Sequence, residues 1–181
     1  MTSEPFAIRN AGPDDAAAIA HLHAESWRAH YRGSFSDAYL DGPIHGERLQ
    51  VWTERLRHPR SGQIALLAEE GTSPAGFVCL FLDHDRTFGT LIDNLHVAVD
   101  RKRMGLGRQL LRSAGDAMLH ALPRRPVYLT VLVANTAAQA FYDRIGGMVA
   151  EELRTTEPDG SKLAVLRYIW PSPAALIDGV V

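Results

Sequence analysis

The chain has 181 residues, a length that suits one domain better than two. Hydrophobic residues make up 46% and charged residues 22%, the balance of a globular protein, and a formal net charge of −2 excludes a polybasic nucleic-acid scaffold or membrane-surface binder. No run approaches the roughly 20 apolar residues of a membrane span, and one cysteine, Cys79, cannot form an intramolecular disulfide.

The opening "MTSEPFAIRN" lacks a basic segment followed by an apolar one, so no signal peptide is expected and the expected location is the cytoplasm. "FAIRNA" (6–11) reads as a short strand. In "GPDDAAAIAHLHAESWRAHY", Pro13 and two acids suit a helix's first turn, and Ile19, Ala20, His23 and Trp27 follow helical spacing. "SDAYLDG" opens on a capping serine and reads as a short helix. "ERLQVWTERLRH" is a firmer helix stopped by Pro59.

The middle is rich in strands. "QIALLAEE" and "AGFVCLFLD", separated by "GTSP", predict a hairpin, with Cys79 as a buried structural thiol in its second arm. "DHDRTFG" reads as another turn. "TLIDNLHVAV" is a β-rich run with Leu95, Val97 and Val99 at period two. After it, Leu106, Leu110, Leu111, Ala114, Met118 and Leu122 mark one face of a helix that "PRRP" ends.

"VYLTVLVA" predicts a strand, and "NTAAQAFYDRIGG" a short helix with an asparagine cap and a glycine stop. "MVAEELRTT", the turn "EPDGS" and "KLAVLRYIW" read as a closing hairpin, and "PSPAALIDGVV" as an apolar tail. The order is β-α-α-β-β-β-α-β-α-β-β. Alternating elements of this kind predict a mixed α/β layered fold.

The stretch "VAVDRKRMGLGRQLLRSAG" (97–115) carries the chemical question. A helix start offers about four N–H groups without helical partners and roughly half a positive charge. A glycine turn feeding it lets a diphosphate approach the main chain. Gly105 and Gly107 are small enough, Leu106 can pack inward, and Lys102, Arg103 and Arg108 add positive charge at the rim. Two glycines alone equally describe a plain strand-to-helix loop with solvated basic residues. A dinucleotide fingerprint needs a third glycine where Leu110 stands, and the P-loop pattern is absent.

"LHVAVDRKRMGLGRQLL" resembles the acyl-CoA-binding signature of the GNAT acetyltransferase superfamily, L-x-V-x-P-x-x-[RQ]-x-x-G-x-[GA]. Leu95, Val97, Gly105 and Gly107 match it, Val99 replaces the proline, and Lys102 replaces the Arg or Gln. "NTAAQAFYDRIGGM" is similar to the family's N-x-x-A-x-x-F-Y-x-x-x-G-F. Asn135, Ala138, Phe141, Tyr142 and Gly146 fall in place, and Gly147 stands at the final aromatic. Two signatures in the right order are far more specific than either alone, and the resemblance spans about residues 6–170.

The resemblance implies a mixed, mostly antiparallel sheet of six to seven strands, flanked by about four helices and splayed between its fourth and fifth strands. It implies one acyltransferase domain over residues 1–170, with 171–181 as a C-terminal tail. Acetyl-CoA would sit in the gap as cosubstrate. Leu95, His96 and Val97 would pair with its pantetheine arm through their main chain. The turn through Lys102, Arg103, Met104, Gly105, Leu106, Gly107 and Arg108 would hold its pyrophosphate. Asn135 and Tyr142 would meet it from the following helix.

Amine acetylation needs a neutral amine, donors for the developing oxyanion and a proton for the leaving thiolate. A lysine-like amine is neutral in only about one molecule in a few thousand at pH 7, whereas an α-amino group near 7.7–8 is far easier. In the resemblance Tyr142 faces the thioester sulfur as general acid; as a residue it also fits a core aromatic at helical spacing with Asn135, Ala138 and Ile145. Many relatives carry a strand glutamate as base. Here the fifth strand offers Thr130, which cannot serve, and the fourth offers Asp93 and His96. Each reads equally as a strand hydrogen-bonder or a packed strand histidine. A main-chain N–H near His96 or Val97 would meet the oxyanion.

The segment 26–42 is expected to wall the acceptor, with Trp27, His30, Tyr31, Phe35 and Tyr39 as an aromatic surface and Asp93 within reach of the amine. Trp27 equally suits helix packing. His21 and His23 are two apart and face different sides of a helix, no compact ligand set appears, and no metal is expected. The reading is therefore an N-acetyltransferase that passes acetyl from acetyl-CoA directly to a primary amine in a ternary complex. The alternative is an acyl-CoA-binding sensor without turnover. The expected partners are a small-molecule or peptide amine, with no nucleic acid or membrane; exposed strand edges and the apolar tail make a homodimer an open expectation.

Overall fold

The predicted hairpin of "QIALLAEE" and "AGFVCLFLD" forms the second and third strands of a seven-stranded sheet in the computed structural model, which describes residues 6–157 and 159–180. In chain order the elements are β1 (Ala7–Asn10), α1 (Ala16–His30), α2 (Asp37–Asp41), α3 (Ile44–Arg57), β2 (Gln63–Glu70), β3 (Ser73–Asp85), β4 (Gly89–Val97), α4 (Leu106–Ala121), β5 (Val127–Leu132), α5 (Thr136–Arg144), β6 (Met148–Thr156), β7 (Lys162–Trp170) and α6 (Pro173–Val180). Short 3-10 turns precede α1 and follow β4. The strand order is β1-β2-β3-β4-β5-β7-β6; β4 and β5 run parallel and the other neighbours antiparallel.

β3 is buried on both faces, and period-two alternation sorts its side chains. Phe77, Cys79 and Phe81 face a cluster with Ile19 of α1 and Trp52 of α3. Val78 and Leu80 face the larger cluster with Leu110, Leu111 and Met118 of α4. The leucine stripe read on α4 is this second layer; Leu110 and Leu111 are fully buried, and shortening either to alanine costs about 2–5 kcal/mol. A third cluster joins Phe35, Leu40 and Ile44 to Leu132 of β5 and Val165 of β7, tying the α1–α3 region across the open side of the sheet.

Several readings are revised. Val99 does not continue the strand: it lies in a 3-10 turn and is 57% exposed. The ladder ends where Ala98 N–H donates to Ala75 O, and Arg101 N–H then closes on Ala98 O. "DHDRTFG" is mostly strand, because β3 continues to Asp85; that carboxylate accepts from Thr87 and Phe88 N–H (2.7 and 2.8 Å) to make the turn. Helices number six among the described residues rather than about four. Leu122 caps α4 rather than extending it. The tail forms α6, whose Leu176 and Val180 are buried in the α4 cluster, and Gly115 leaves the room that Ile177 fills. The reading of the extreme amino terminus, Pro158 of the last hairpin turn and Val181 lie outside the described residues.

Candidate active site

β4 and β5 share two register pairs, Thr90 with Val127 and Leu91 with Tyr128, and then part. The closed end is pinched by Gly89. Its φ is +76°, and a Cβ there would lie 2.2 Å from Pro126 O; next to it, Thr90 N–H donates to that same oxygen at 2.9 Å. Beyond this point β4 is held by β3 alone and β5 by β7 alone. A bulge bends β4 where they separate: Cys79 pairs with Asn94 and Leu80 with Ile92, leaving Asp93 as the extra residue. The resulting cavity of about 830 Å³ is lined from β4, β5, α1, α3, α5 and the loop before α4.

Main-chain direction in β4 follows from its last ladder bond. Because Ala98 N–H points to β3, alternation points the N–H and C=O of His96 the same way and turns those of Leu95 and Val97 into the gap. The expectation that His96 contributes main-chain groups to the gap is therefore corrected: Leu95 and Val97 do so, and His96 presents only its ring.

At the end of that edge lies the glycine turn. Arg103 and Gly105 both adopt left-handed φ values, +64° and +81°. Gly105 caps α4, accepting Arg108 and Gln109 N–H on its carbonyl, so the N–H groups of Leu106 and Gly107 precede the helical ladder. Leu106 packs into the core at 1% exposure, while Met104 is 47% exposed. A Cβ on Gly107 would meet nothing closer than Phe141 at 3.8 Å. The protein's own packing does not demand glycine there, so the open space suits a group approaching from the cavity. Lys102 and Arg103 line the same end with Arg108, and Lys102 hydrogen-bonds His30 of α1; burial lowers its pKa.

α5 contributes Asn135 and Tyr142. Asn135 caps the helix, its Oδ1 accepting Ala138 N–H at 3.2 Å, and its carboxamide N–H₂ has no partner among the described residues. Tyr142 is 9% exposed, packs at a tilt against Tyr168 with centroids 5.5 Å apart, and lines the cavity with no hydrogen bond to its hydroxyl among the described residues. Burial raises its pKa above the ordinary phenol value, so it holds its proton at neutral pH.

The two base candidates also reach the cavity, in different states. The bulge turns Asp93 and Asn94 to the same face, where Arg55 Nη1 donates to both, at 2.7 and 3.1 Å. Asp93 Oδ1 has no hydrogen bond among the described residues. His96 Nδ1 pairs with Ser26 Oγ at 2.8 Å, and its ring lies 4.7 Å from that of His23. Burial first, then the charges of His30 and Lys102, pull its pKa to about 3. His96 is therefore a neutral imidazole rather than a base poised near 6.5. Cys79 is fully buried in the cluster under α1 and α3 and does not line the cavity, and burial pushes its thiol up to about 12, so it carries no nucleophile.

From α1 and the loop after it, Trp27, Tyr31 and Phe35 line the cavity as a packed set, with Trp27–Phe35 centroids 4.9 Å apart and Tyr31–Phe35 5.5 Å apart. Tyr39 stands behind Phe35, donating to Glu47 at 2.7 Å, and is not in the lining. His30 is held by Ser26 O at 2.7 Å. Sequence reasoning missed Ser26, Arg48, Arg55 and Glu157, which also line the cavity. The available signal lay in α3, where Arg48, Trp52 and Arg55 fall at spacings of four and three on one face, placing two arginines on the stripe that buries Trp52.

The fold also gathers a set that spacing along α1 could not reveal. His21 and Glu25 of α1 and His45 of α3 bring ligand-type atoms within 4.8 Å of one another. Arg28 donates to Glu25 there at 3.2 Å. A resident guanidinium makes this a charge-paired surface network, and its cation opposes a second one.

Compared with known proteins, residues 18–147 match the model of the acetyltransferase (GNAT) family. The Probable N-acetyltransferase Rv2775 of Mycobacterium tuberculosis is 32% identical over 147 residues, 80% of each chain. The PaiA N-acetyltransferase of Thermoplasma acidophilum, solved with coenzyme A, is similar in structure with a TM-score of 0.70 and 20% identity, over 91% of this chain and 99% of that one. YncA of Salmonella typhimurium, solved with acetyl-CoA, gives 0.64 and 18% over 92% and 93%. At these identities the structural likenesses speak for the fold.

Proposed function

The chain belongs to the acetyltransferase (GNAT) family, and from that premise we propose that it transfers acetyl from acetyl-CoA directly to a primary amine while both are bound. The observation that carries this reading is the parting of β4 from β5 over a glycine turn at the start of α4. That slot offers unpaired main-chain groups of Leu95 and Val97 along its length and free N–H donors with cationic side chains at its end. The PaiA and YncA proteins were solved with coenzyme A and acetyl-CoA, which fits the same use here.

Acetyl-CoA supplies the acetyl group as a thioester. Leu95 and Val97 hold the pantetheine arm, the turn 102–108 holds the diphosphate, and Asn135 adds its free carboxamide N–H₂. The acceptor's neutral nitrogen forms the new bond to the carbonyl carbon as the carbon–sulfur bond breaks. Val97 N–H faces the carbonyl oxygen, where charge develops. Tyr142 gives its phenolic proton to the leaving sulfur. The proton shed by the amine passes through water to Asp93 Oδ1 and returns to the tyrosine through solvent. His96, a neutral imidazole with its pKa pulled down by burial, offers no base poised near neutrality, so the acceptor enters already deprotonated.

Calorimetry with coenzyme A, followed by thiol release from acetyl-CoA with a set of amines, tests the reading. Binding and amine-dependent release are expected. Binding without release across the set would make the chain a sensor, and absence of binding would end the proposal.

A further inference from the structure

The acceptor half of the cavity holds an arginine with no hydrogen-bonded counter-charge among the described residues. Arg48 is on the lining, and its side chain is 12% exposed. Its Nε is fully buried with no hydrogen-bond partner among the described residues. The nearest carboxylate, Glu47, is 4.0 Å away and is already receiving the Tyr39 hydroxyl. The guanidinium carbon lies 4.9 Å over the Trp27 ring, a contact that orients the fork and leaves its N–H groups unbonded. The neighbouring cation, Arg55, differs in just this respect, because Asp93 neutralises it. A largely buried, unpaired arginine is expensive in isolation, and its planar fork matches a carboxylate.

We propose that the acceptor is an amine carrying its own carboxylate, an amino acid, with Arg48 gripping the carboxylate and Trp27, Tyr31 and Phe35 enclosing an apolar side chain. This rests on the acetyl-transfer reading and goes beyond it by naming the acceptor class. Polycationic amines are disfavoured by the same arginine, in contrast to the spermidine named for one structural neighbour.

The test uses matched pairs: leucine, methionine and phenylalanine, each against its decarboxylated amine, with spermidine as a cationic comparator. Thiol release is measured at saturating acetyl-CoA. At least one amino acid should exceed its decarboxylated partner in kcat/KM by roughly 10- to 100-fold, mainly through KM, as expected for a charge-assisted fork. Arg48→Gln should bring that ratio to within about threefold of unity, and Arg48→Lys should restore part of it, with coenzyme A affinity unchanged in both.

Decarboxylated amines or spermidine outperforming the amino acids would overturn the inference, as would an unchanged ratio in Arg48→Gln. Turnover of no amino acid by a protein that still binds coenzyme A would overturn it too, while leaving the acetyl-transfer reading to other amines. Loss of coenzyme A binding in the wild-type protein would strike that reading instead.

Discussion

The two walls of the cavity are built from different materials. The wall formed by β4, the glycine turn and α4 uses main-chain groups: strand N–H and C=O of Leu95 and Val97, and free N–H donors before the α4 ladder. The wall formed by α1 and its following loop, α3 and the opposite face of β4 uses side chains: three aromatics, two arginines, a bulged aspartate and three histidines. Main-chain recognition depends on backbone shape, which a few glycines and a strand edge impose. Side-chain recognition depends on which residues distant elements bring together. The first wall therefore suits a ligand shared by many chains, and the second a ligand particular to this one.

The largest expected effect separates ligand space from protein packing. Gly107→Leu puts a side chain where the protein's own nearest atom is 3.8 Å from a Cβ. Coenzyme A affinity should fall at least about 100-fold, or nearly 3 kcal/mol. The thermal midpoint should hold or rise, because leucine is the better helix former. Calorimetry and a melting curve on one sample check both. A variant that binds normally would mean that the turn is not the diphosphate site.

Tyr142→Phe probes the place where the two walls meet. Its hydroxyl has no hydrogen bond among the described residues, so removing it orphans nothing. The expected result is a drop in kcat of about 100-fold with little change in KM for acetyl-CoA. An unchanged kcat would reduce Tyr142 to a core aromatic.

The pH profile sharpens the contrast from the acceptor side. His96, at about 3, is neutral throughout the working range, and Tyr142 is raised above the ordinary phenol value. The acid limb of kcat/KM should then report the acceptor's own amine. Below that pKa the rate falls tenfold per pH unit, and exchanging one acceptor for another of different basicity moves the midpoint with it. A midpoint fixed near 6.5 for every acceptor would restore a histidine base.

The same asymmetry explains what could be read in advance. The order of elements along the chain, the α4 stripe, the glycine turn and the Asn135 cap follow from local spacing, so they were legible. The bulge was not. It depends on Cys79 pairing with Asn94 while Leu80 pairs with Ile92, and a single strand's sequence does not display its partner's register. That shift carries Asp93 to Arg55, so the carboxylate expected as a free base arrived paired. His96 looked suited to proton transfer because its reference value lies near 6.5. Its actual state is set first by burial and then by the charges of His30 and Lys102, and both His30 and the Ser26 that pairs with its ring come from α1. Arg48 showed only as helical spacing, and its missing partner became visible once Trp27 and Glu47 stood beside it.

The smallest effect concerns stability, and its sign can be worked out. His23 and His96 both have folded pKa values below the unfolded value near 6.5, His23 well below and His96 at about 3, with burial the main cause in each. Below pH 6.5 the unfolded chain takes up protons that these folded sites refuse. Stability present above 6.5 is therefore lost as pH falls, by about 1.4 kcal/mol per unit for each histidine kept neutral. Between pH 6.5 and 5 His96 alone accounts for about 2 kcal/mol. Asp15, Asp41, Asp85 and Asp159 have lowered values, so their losses come only below the ordinary carboxylate range near 3.8 and leave this window to the histidines. Urea unfolding at pH 7.5 and 5 should show the drop. His96→Gln keeps a partner for Ser26 but removes one titrating ring, so it should flatten the difference by about half even if it lowers stability at both pH values. An undiminished difference would mean that His96 takes up its proton in the folded chain, and the side-chain wall would then contain the ordinary base that its burial argues against.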